Sequence, residues 1–85
     1  MNNHCDKASI LVVDDSPDSL KFLTEVIEDT GATVLVALSG HKSLDVIDQV
    51  TPDVILMDAI MPGMDGFEAC RRIKKNSAML HVPVI

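Results

Sequence analysis

Residues 54–66, VILMDAIMPGMDG, constrain this chain more than any other stretch. Val54, Ile55, Leu56 and Met57 form an apolar run without a polar break. Such a run suits a strand covered on both faces, as in a parallel sheet. It ends in one carboxylate, Asp58. An ionised acid is costly to bury, so Asp58 is expected at the rim, at the carboxyl end of the strand. Met61-Pro62-Gly63-Met64 fits a type II turn, with Pro presetting φ at the second position and Gly supplying positive φ at the third. Asp65 and Gly66 read as the entry to a helix. Open α/β sheets bind ligands beyond the carboxyl ends of their strands, which makes this loop the first candidate for a site.

The other segments repeat the pattern. Residues 1–8 are polar and read as a frayed tail, with one domain expected over residues 9–85. Ile10-Leu11-Val12-Val13 is a second buried-strand run and also ends in acids, Asp14 and Asp15. Ser16 and Pro17 mark a helix start, as N-cap and first helical residue. Leu20, Leu23 and Ile27 recur at helical spacing, with Phe22 and Val26 widening the stripe. Gly31 is expected to close this helix at C′. Residues 33–38 form a β-branched strand, and Ser39-Gly40 a turn. Leu44, Ile47 and Val50 mark a short helix with Asp45 and Asp48 facing out, ended by Thr51-Pro52-Asp53.

After the central loop, Asp65 caps a third helix with Glu68 at its third position, a variant of the capping box. Phe67, Cys70 and Ile73 are its expected buried side. Arg71, Arg72, Lys74 and Lys75 crowd its end, where cations complement the helix dipole; Glu68 stands three and four residues before the two arginines. That reading is preferred over a nucleic-acid patch. Residues 76–81 read as a polar loop with His81 exposed, and residues 82–85 as a fourth strand. Met57, Met61 and Met64 are packing and loop residues.

Strand–helix alternation implies a doubly wound α/β sheet of parallel strands with helices on both faces. Strand order 2-1-3-4 puts the switch point between the first and third strands. Asp14 and Asp15 then meet Asp58 at one rim. Three carboxylates at such distance repel, and a divalent cation resolves the conflict. Oxygen-only ligands indicate a hard ion, and magnesium takes one or two carboxylates, waters and a phosphate oxygen. Asp15 and Asp58 are its expected direct ligands, and Asp58 is placed to attack phosphorus. Taken singly, each acid is more simply a cap or turn former. The joint pattern favours function.

Composition narrows the classes. A net charge of −6 argues against non-specific binding to nucleic acid or anionic membranes. No apolar run approaches the length of a membrane span, and the start has no signal-peptide h-region. Cys5 and Cys70 do not make a disulfide framework, so a cytoplasmic location is expected. His4, Cys5, His41, Cys70 and His81 show no paired zinc-ligand spacing.

ILVVDDSPDS, VILMDAIMPGMDGFEACRRIK and HVPVI closely resemble the receiver domain of response regulators in two-component signalling. The resemblance runs from Ser9 onward. It implies a flavodoxin-like fold, Mg2+ as cofactor and Asp58 as phosphoacceptor. It also implies Asp15 as a metal ligand, Asp14 acting through the metal's water shell, and the Ile60 backbone carbonyl as a further ligand. The phosphoryl donor would be a sensor histidine kinase or a histidine phosphotransfer domain. Such a domain catalyses its own aspartyl phosphorylation and is not a metabolic enzyme.

The sequence departs from that family at its end. The fifth strand and last helices are missing, as are the family's Ser or Thr after the fourth strand and Lys after the fifth. Lys7, Lys21 and Lys42 do not replace that Lys. Losing a preorganised charge partner costs ~3 kcal/mol in a transition state, about a hundredfold in rate. A C-terminally truncated receiver that binds metal but accepts phosphoryl poorly is therefore expected. The exposed edge of the fourth strand invites association with another copy, or else marks marginal stability.

Haloacid-dehalogenase-type phosphatases need a second Asp two residues after the first, and Ile60 and Ser16 occupy those places. Dinucleotide binding lacks its G-x-G-x-x-G. A phosphorylation-independent interaction module on the receiver fold is the alternative that stays open.

Overall fold

A computed structural model describes residues 8–59, 61 and 63–85. Most of the expected tail with His4, Cys5 and Lys7, and also Ile60 and Pro62, lies outside the described residues. Three strands, β1 (Ser9–Val13), β2 (Thr33–Ala37) and β3 (Val54–Met57), alternate with α1 (Pro17–Glu28), α2 (Gly40–Ile47) and α3 (Gly66–Lys74). A short 3-10 turn, Ser77–Met79, follows. The sheet is parallel, in the order β2-β1-β3. This is the flavodoxin-like arrangement.

Alternation along β1 builds the two layers. Leu11 and Val13 join Ile47, Ile55 and Ile73 in one core cluster. Val12 and Leu20 are equally buried but stand outside that cluster. Successive strand residues face opposite sides, so Val12 turns toward the other layer. There α1 lies against β1 and β2, while α2 and α3 pack on each other.

The helix starts follow the local sequence. Ser16 caps α1, its hydroxyl accepting from the Ser19 N–H at 3.4 Å, with Pro17 as the first helical residue. Asp65 caps α3, its carboxylate accepting from the Glu68 N–H at 2.8 Å. Ser39 caps α2 by accepting from the Lys42 N–H at 3.1 Å, so Ser39-Gly40 opens a helix rather than making a free turn. Helix α2 ends at Ile47 and leaves Val50 exposed beyond it. Asp29 is the C-cap of α1, which puts Gly31, at φ +91°, one residue past the expected C′ position.

Two helix faces differ from expectation. On α1, Leu20 is buried and Leu23 and Ile27 are half-buried, but Phe22 and Val26 are exposed. Phe22 lies about 200° around the helix from Leu20, and nothing among the described residues covers that flank. On α3 the buried face is Gly66, Ala69 and Ile73; Cys70 is half-buried and Phe67 is 77% exposed. The cause is close packing: a Cβ added to Gly40 of α2 would meet the Ala69 Cβ at 3.2 Å and the Met64 Sδ at 3.1 Å. Small residues turn inward because α2 leaves no room for an aromatic ring.

The carboxyl-terminal segment differs too. The expected polar loop contains Met79, fully buried in the main core, with Asn76 capping its 3-10 turn. His81 is exposed. The expected fourth strand is one parallel bridge, Ile55 to Val84, on the outer edge of β3. Its bonds are Ile55 N–H to Pro83 O at 2.9 Å, Ile85 N–H to Ile55 O at 2.9 Å and Met57 N–H to Ile85 O at 2.8 Å. Pro83 has no N–H to continue a ladder.

These faces predict a contrast. Ile73→Ala should cost about 2–5 kcal/mol in urea unfolding, whereas Phe67→Ala should stay within about 0.5 kcal/mol. Glu68 gives a second test. Hydrogen bonds from Arg72 Nε at 2.7 Å, and from Arg71, hold its carboxyl below the ordinary carboxylate range. A depressed folded value means that the stabilisation is complete above the ordinary carboxylate pKa. It is lost as pH falls through the lower folded value. NMR titration should find the Glu68 midpoint lowered, and Arg72→Gln should raise it.

Candidate functional site

The site is built by strand register. Val13 of β1 pairs with Ala37 of β2 on one side and with Met57 of β3 on the other. The next residues keep the ladder going. The Asp14 N–H donates to Ala37 O at 3.1 Å, and the Asp58 N–H donates to Val13 O at 2.9 Å. Both acids are thus the first residues past neighbouring strand ends, and the sheet still holds their backbones. Asp15 follows Asp14 at the same rim.

One carboxylate oxygen from each of Asp14, Asp15 and Asp58 lies within 4.8 Å of the others. Asp14 and Asp58 are half-buried and Asp15 is exposed. Asp14 also accepts from the Ser16 N–H at 2.9 Å, which ties it to the start of α1. The acids expected at one rim are therefore brought together. The Ile60 carbonyl lies outside the described residues.

The donor chemistry can be tested for fit. All the offered atoms are carboxylate oxygens, the ligands of hard cations. Oxygens on opposite sides of a magnesium ion stand about 4.2 Å apart. Adjacent oxygens stand about 3 Å apart, so a set within 4.8 Å is of the span that such an ion and its bound waters occupy. The three acids fit a magnesium-sized cation.

The loop after Asp58 is firmly seated. Met61 and Met64 are each 6% exposed. Gly63 has φ +80°, as the Pro-Gly turn requires. The Gly66 N–H donates to Ala59 O at 3.0 Å. Gly66 itself lies against the Asp58 backbone: an added Cβ would stand 2.2 Å from Asp58 O and 2.7 Å from Ala59 Cα. Sequence reasoning treated Gly66 only as a helix entry. Its signal was the cost of Gly inside a helix, which calls for a packing reason.

Lys74, expected only to complement the helix dipole, has specific partners. Its ammonium donates to Met79 O at 3.3 Å and to Val82 O, holding the turn after α3. Beside Asp58 runs an apolar groove of 190 Å³, lined by Met57, Phe67, Cys70, Val84 and Ile85 among others.

Known proteins are similar to this chain in sequence and in fold. The model of the response regulator receiver domain matches residues 10–85. Protein PilH of Pseudomonas aeruginosa is 44% identical over 78 residues, covering 92% of this chain and 64% of PilH. Protein PilG of the same organism is 33% identical over 85 residues, covering 100% of this chain and 63% of PilG. The chemotaxis protein CheY4 of Vibrio cholerae superposes with a TM-score of 0.89 at 31% identity, covering 92% of this chain and 65% of that one. The N-terminal domain of a response regulator receiver protein from Methanoculleus marisnigri superposes with a TM-score of 0.86 at 38% identity, covering 89% of this chain and 62% of that one. The chain thus spans a little under two thirds of the length of these relatives. Its parallel sheet, its rim of three acids and a family match over nearly its whole length make this chain a member of the response regulator receiver domains of two-component signalling.

Proposed function

We propose that Asp58 accepts a phosphoryl group from a histidine kinase or histidine phosphotransfer domain, with Mg2+ held beside it. The observation that carries this reading is the convergence of Asp14, Asp15 and Asp58 within 4.8 Å. Receiver domains as a family bind Mg2+ at an acidic pocket and interact with histidine kinases. Here Asp15, Asp58 and the Ile60 carbonyl would hold the ion directly, and Asp14 would act through its waters. The ion, when bound, neutralises charge on the phosphoryl oxygens. An Asp58 carboxylate oxygen attacks phosphorus as the P–N bond of the donor phosphohistidine breaks; the imidazole nitrogen keeps the electron pair and takes a proton. Asp58 is half-buried at the rim. The site is read as cytoplasmic; no described helix is long and apolar enough to cross a membrane.

A polypeptide of these 85 residues is proposed to react slowly. Lys21 and Lys42 are exposed on α1 and α2, and Lys74 is engaged by the Met79 and Val82 carbonyls. Lys75 caps the far end of α3. None of these reproduces the lysine that pairs with phosphate elsewhere in the family. The alternative reading is a phosphorylation-independent interaction module on the same fold. Metal binding separates the two, because a degenerate module has no need of magnesium.

The test is acetyl phosphate or beryllofluoride with Mg2+, followed by mass spectrometry and NMR. Asp58 should gain one phosphoryl group, about a hundredfold more slowly than in a form extended to full receiver length. Asp58→Asn should abolish the modification. An extended form that stays unmodified, and a chain that binds no Mg2+, would point to the interaction module. Association of two copies through the edge at Val84 and Ile85 is a separate proposal, supported by the apolar groove there. Light scattering should show a dimer; a strictly monomeric, stable species would refute it.

A further inference from the structure

We propose that Gly66 is a positioning residue for Asp58, setting where the Asp58 carboxylate stands relative to Asp14 and Asp15. The proposal rests on reading Asp58 as the acceptor in a cation-binding site. Glycine usually marks a backbone that needs positive φ. Gly66 is not such a case, because only Gly31 and Gly63 have positive φ among the described residues. Its lack of a side chain serves a close approach. The first residue of α3 rests on the Asp58–Ala59 peptide so tightly that a Cβ would fall 2.2 Å from Asp58 O, 2.7 Å from Ala59 Cα and 2.9 Å from Asp58 C. The atoms it meets are backbone and cannot rotate away.

The helix end doing the seating is itself fixed. Its N–H donates to Ala59 O at 3.0 Å, the Asp65 cap accepts from the Glu68 N–H at 2.8 Å, and Met64 and Ala69 pack against Gly40 of α2. The Asp58 peptide is therefore caught between its β-ladder bond to Val13 O at 2.9 Å and the first turn of α3. Relieving the clash of an added methyl group requires a movement of roughly 1 Å, since ordinary carbon–oxygen contacts begin near 3.3 Å. A displacement of that size at a reacting group costs on the order of a hundredfold in rate.

The experiment compares wild type, Gly66→Ala and Ile73→Val. The last loses core packing without touching the Asp58 peptide. Mg2+ affinity is measured by NMR titration on the folded proteins, and the acetyl phosphate rate alongside it. Gly66→Ala should shift the Asp58 and Ala59 amide resonances without metal, bind Mg2+ about tenfold or more weakly and react on the order of a hundredfold more slowly. Ile73→Val should keep wild-type Mg2+ affinity. A folded Gly66→Ala with wild-type affinity and rate overturns the proposal while leaving the acceptor reading intact. A wild type that neither binds Mg2+ nor is phosphorylated, alongside an equally silent extended form, overturns both. Should Gly66→Ala fail to fold, Asp65→Ala, which loosens the start of α3, is compared with Asp65→Asn, which keeps a cap. Weaker Mg2+ binding in the alanine variant alone supports the positioning role, and equal binding in both refutes it.

Discussion

Two backbone hydrogen bonds carry most of what is distinctive here. One runs from the Asp14 N–H to Ala37 O and the other from the Asp58 N–H to Val13 O. Each extends a parallel ladder by one residue past the end of a strand. Because β1 is flanked by both β2 and β3, the ladders end at the same level, and the acids that follow are delivered side by side. An antiparallel neighbour would send one acid to the opposite rim. The chemistry therefore depends on strand direction and register before it depends on any side chain. Register in turn is held by Leu11, Val12, Val13 and Ile55, all 0–1% exposed. A slip of one residue would exchange the two buried faces and mismatch their packing, Val12 replacing Leu11 and Val13 in the main cluster.

The acids are costly neighbours. Two unit charges at 4.8 Å repel by about 1 kcal/mol in a water-like medium and by about 3–4 kcal/mol at an effective dielectric of 20. Local hydrogen bonds offset part of this repulsion. The start of α1 offers the Ser16 N–H to Asp14 at 2.9 Å, and a helix N-terminus typically returns 0.3–1 kcal/mol to a nearby carboxylate at the surface. A bound cation would act on all three carboxylates at once. Coulomb energy thus favours an added cation over the bare cluster.

How much was legible in the sequence follows from how local each signal is. Ser16-Pro17, Asp65 with Glu68 three residues on, and Gly63 act through one or two hydrogen bonds or one dihedral angle, and all were readable. The rim of acids was readable because apolar runs end in Asp and alternation with helices fixes strand direction. What could not be read depended on distant partners. Phe22 and Val26 have the spacing of a buried stripe, but burial requires a neighbour, and the described residues provide none for that flank. Met79 was read into a polar loop because its neighbours are polar; only the packing shows it sealing the end of the core. Residues 82–85 have strand composition, yet Pro83 offers no N–H to extend the ladder and they form one bridge.

The misread face of α3 and the seat of Asp58 have one cause. Periodicity alone allowed Phe67, Cys70 and Ile73 to face inward, since aromatic and aliphatic residues usually do. The helix instead buries Gly66, Ala69 and Ile73. Turning the small residues inward lets α3 approach α2 at Gly40 and the Asp58 peptide at Gly66. It also sends Phe67 and Cys70 outward, to the groove beside Val84 and Ile85. A larger residue at position 66 or 69 would push the helix off both contacts at once. The loop would then lose the wall that fixes its direction. Hydrophobic burial alone would have favoured the opposite rotation, with the phenyl ring covered. The ring stays 77% exposed, on the side of the groove that Val84 and Ile85 line.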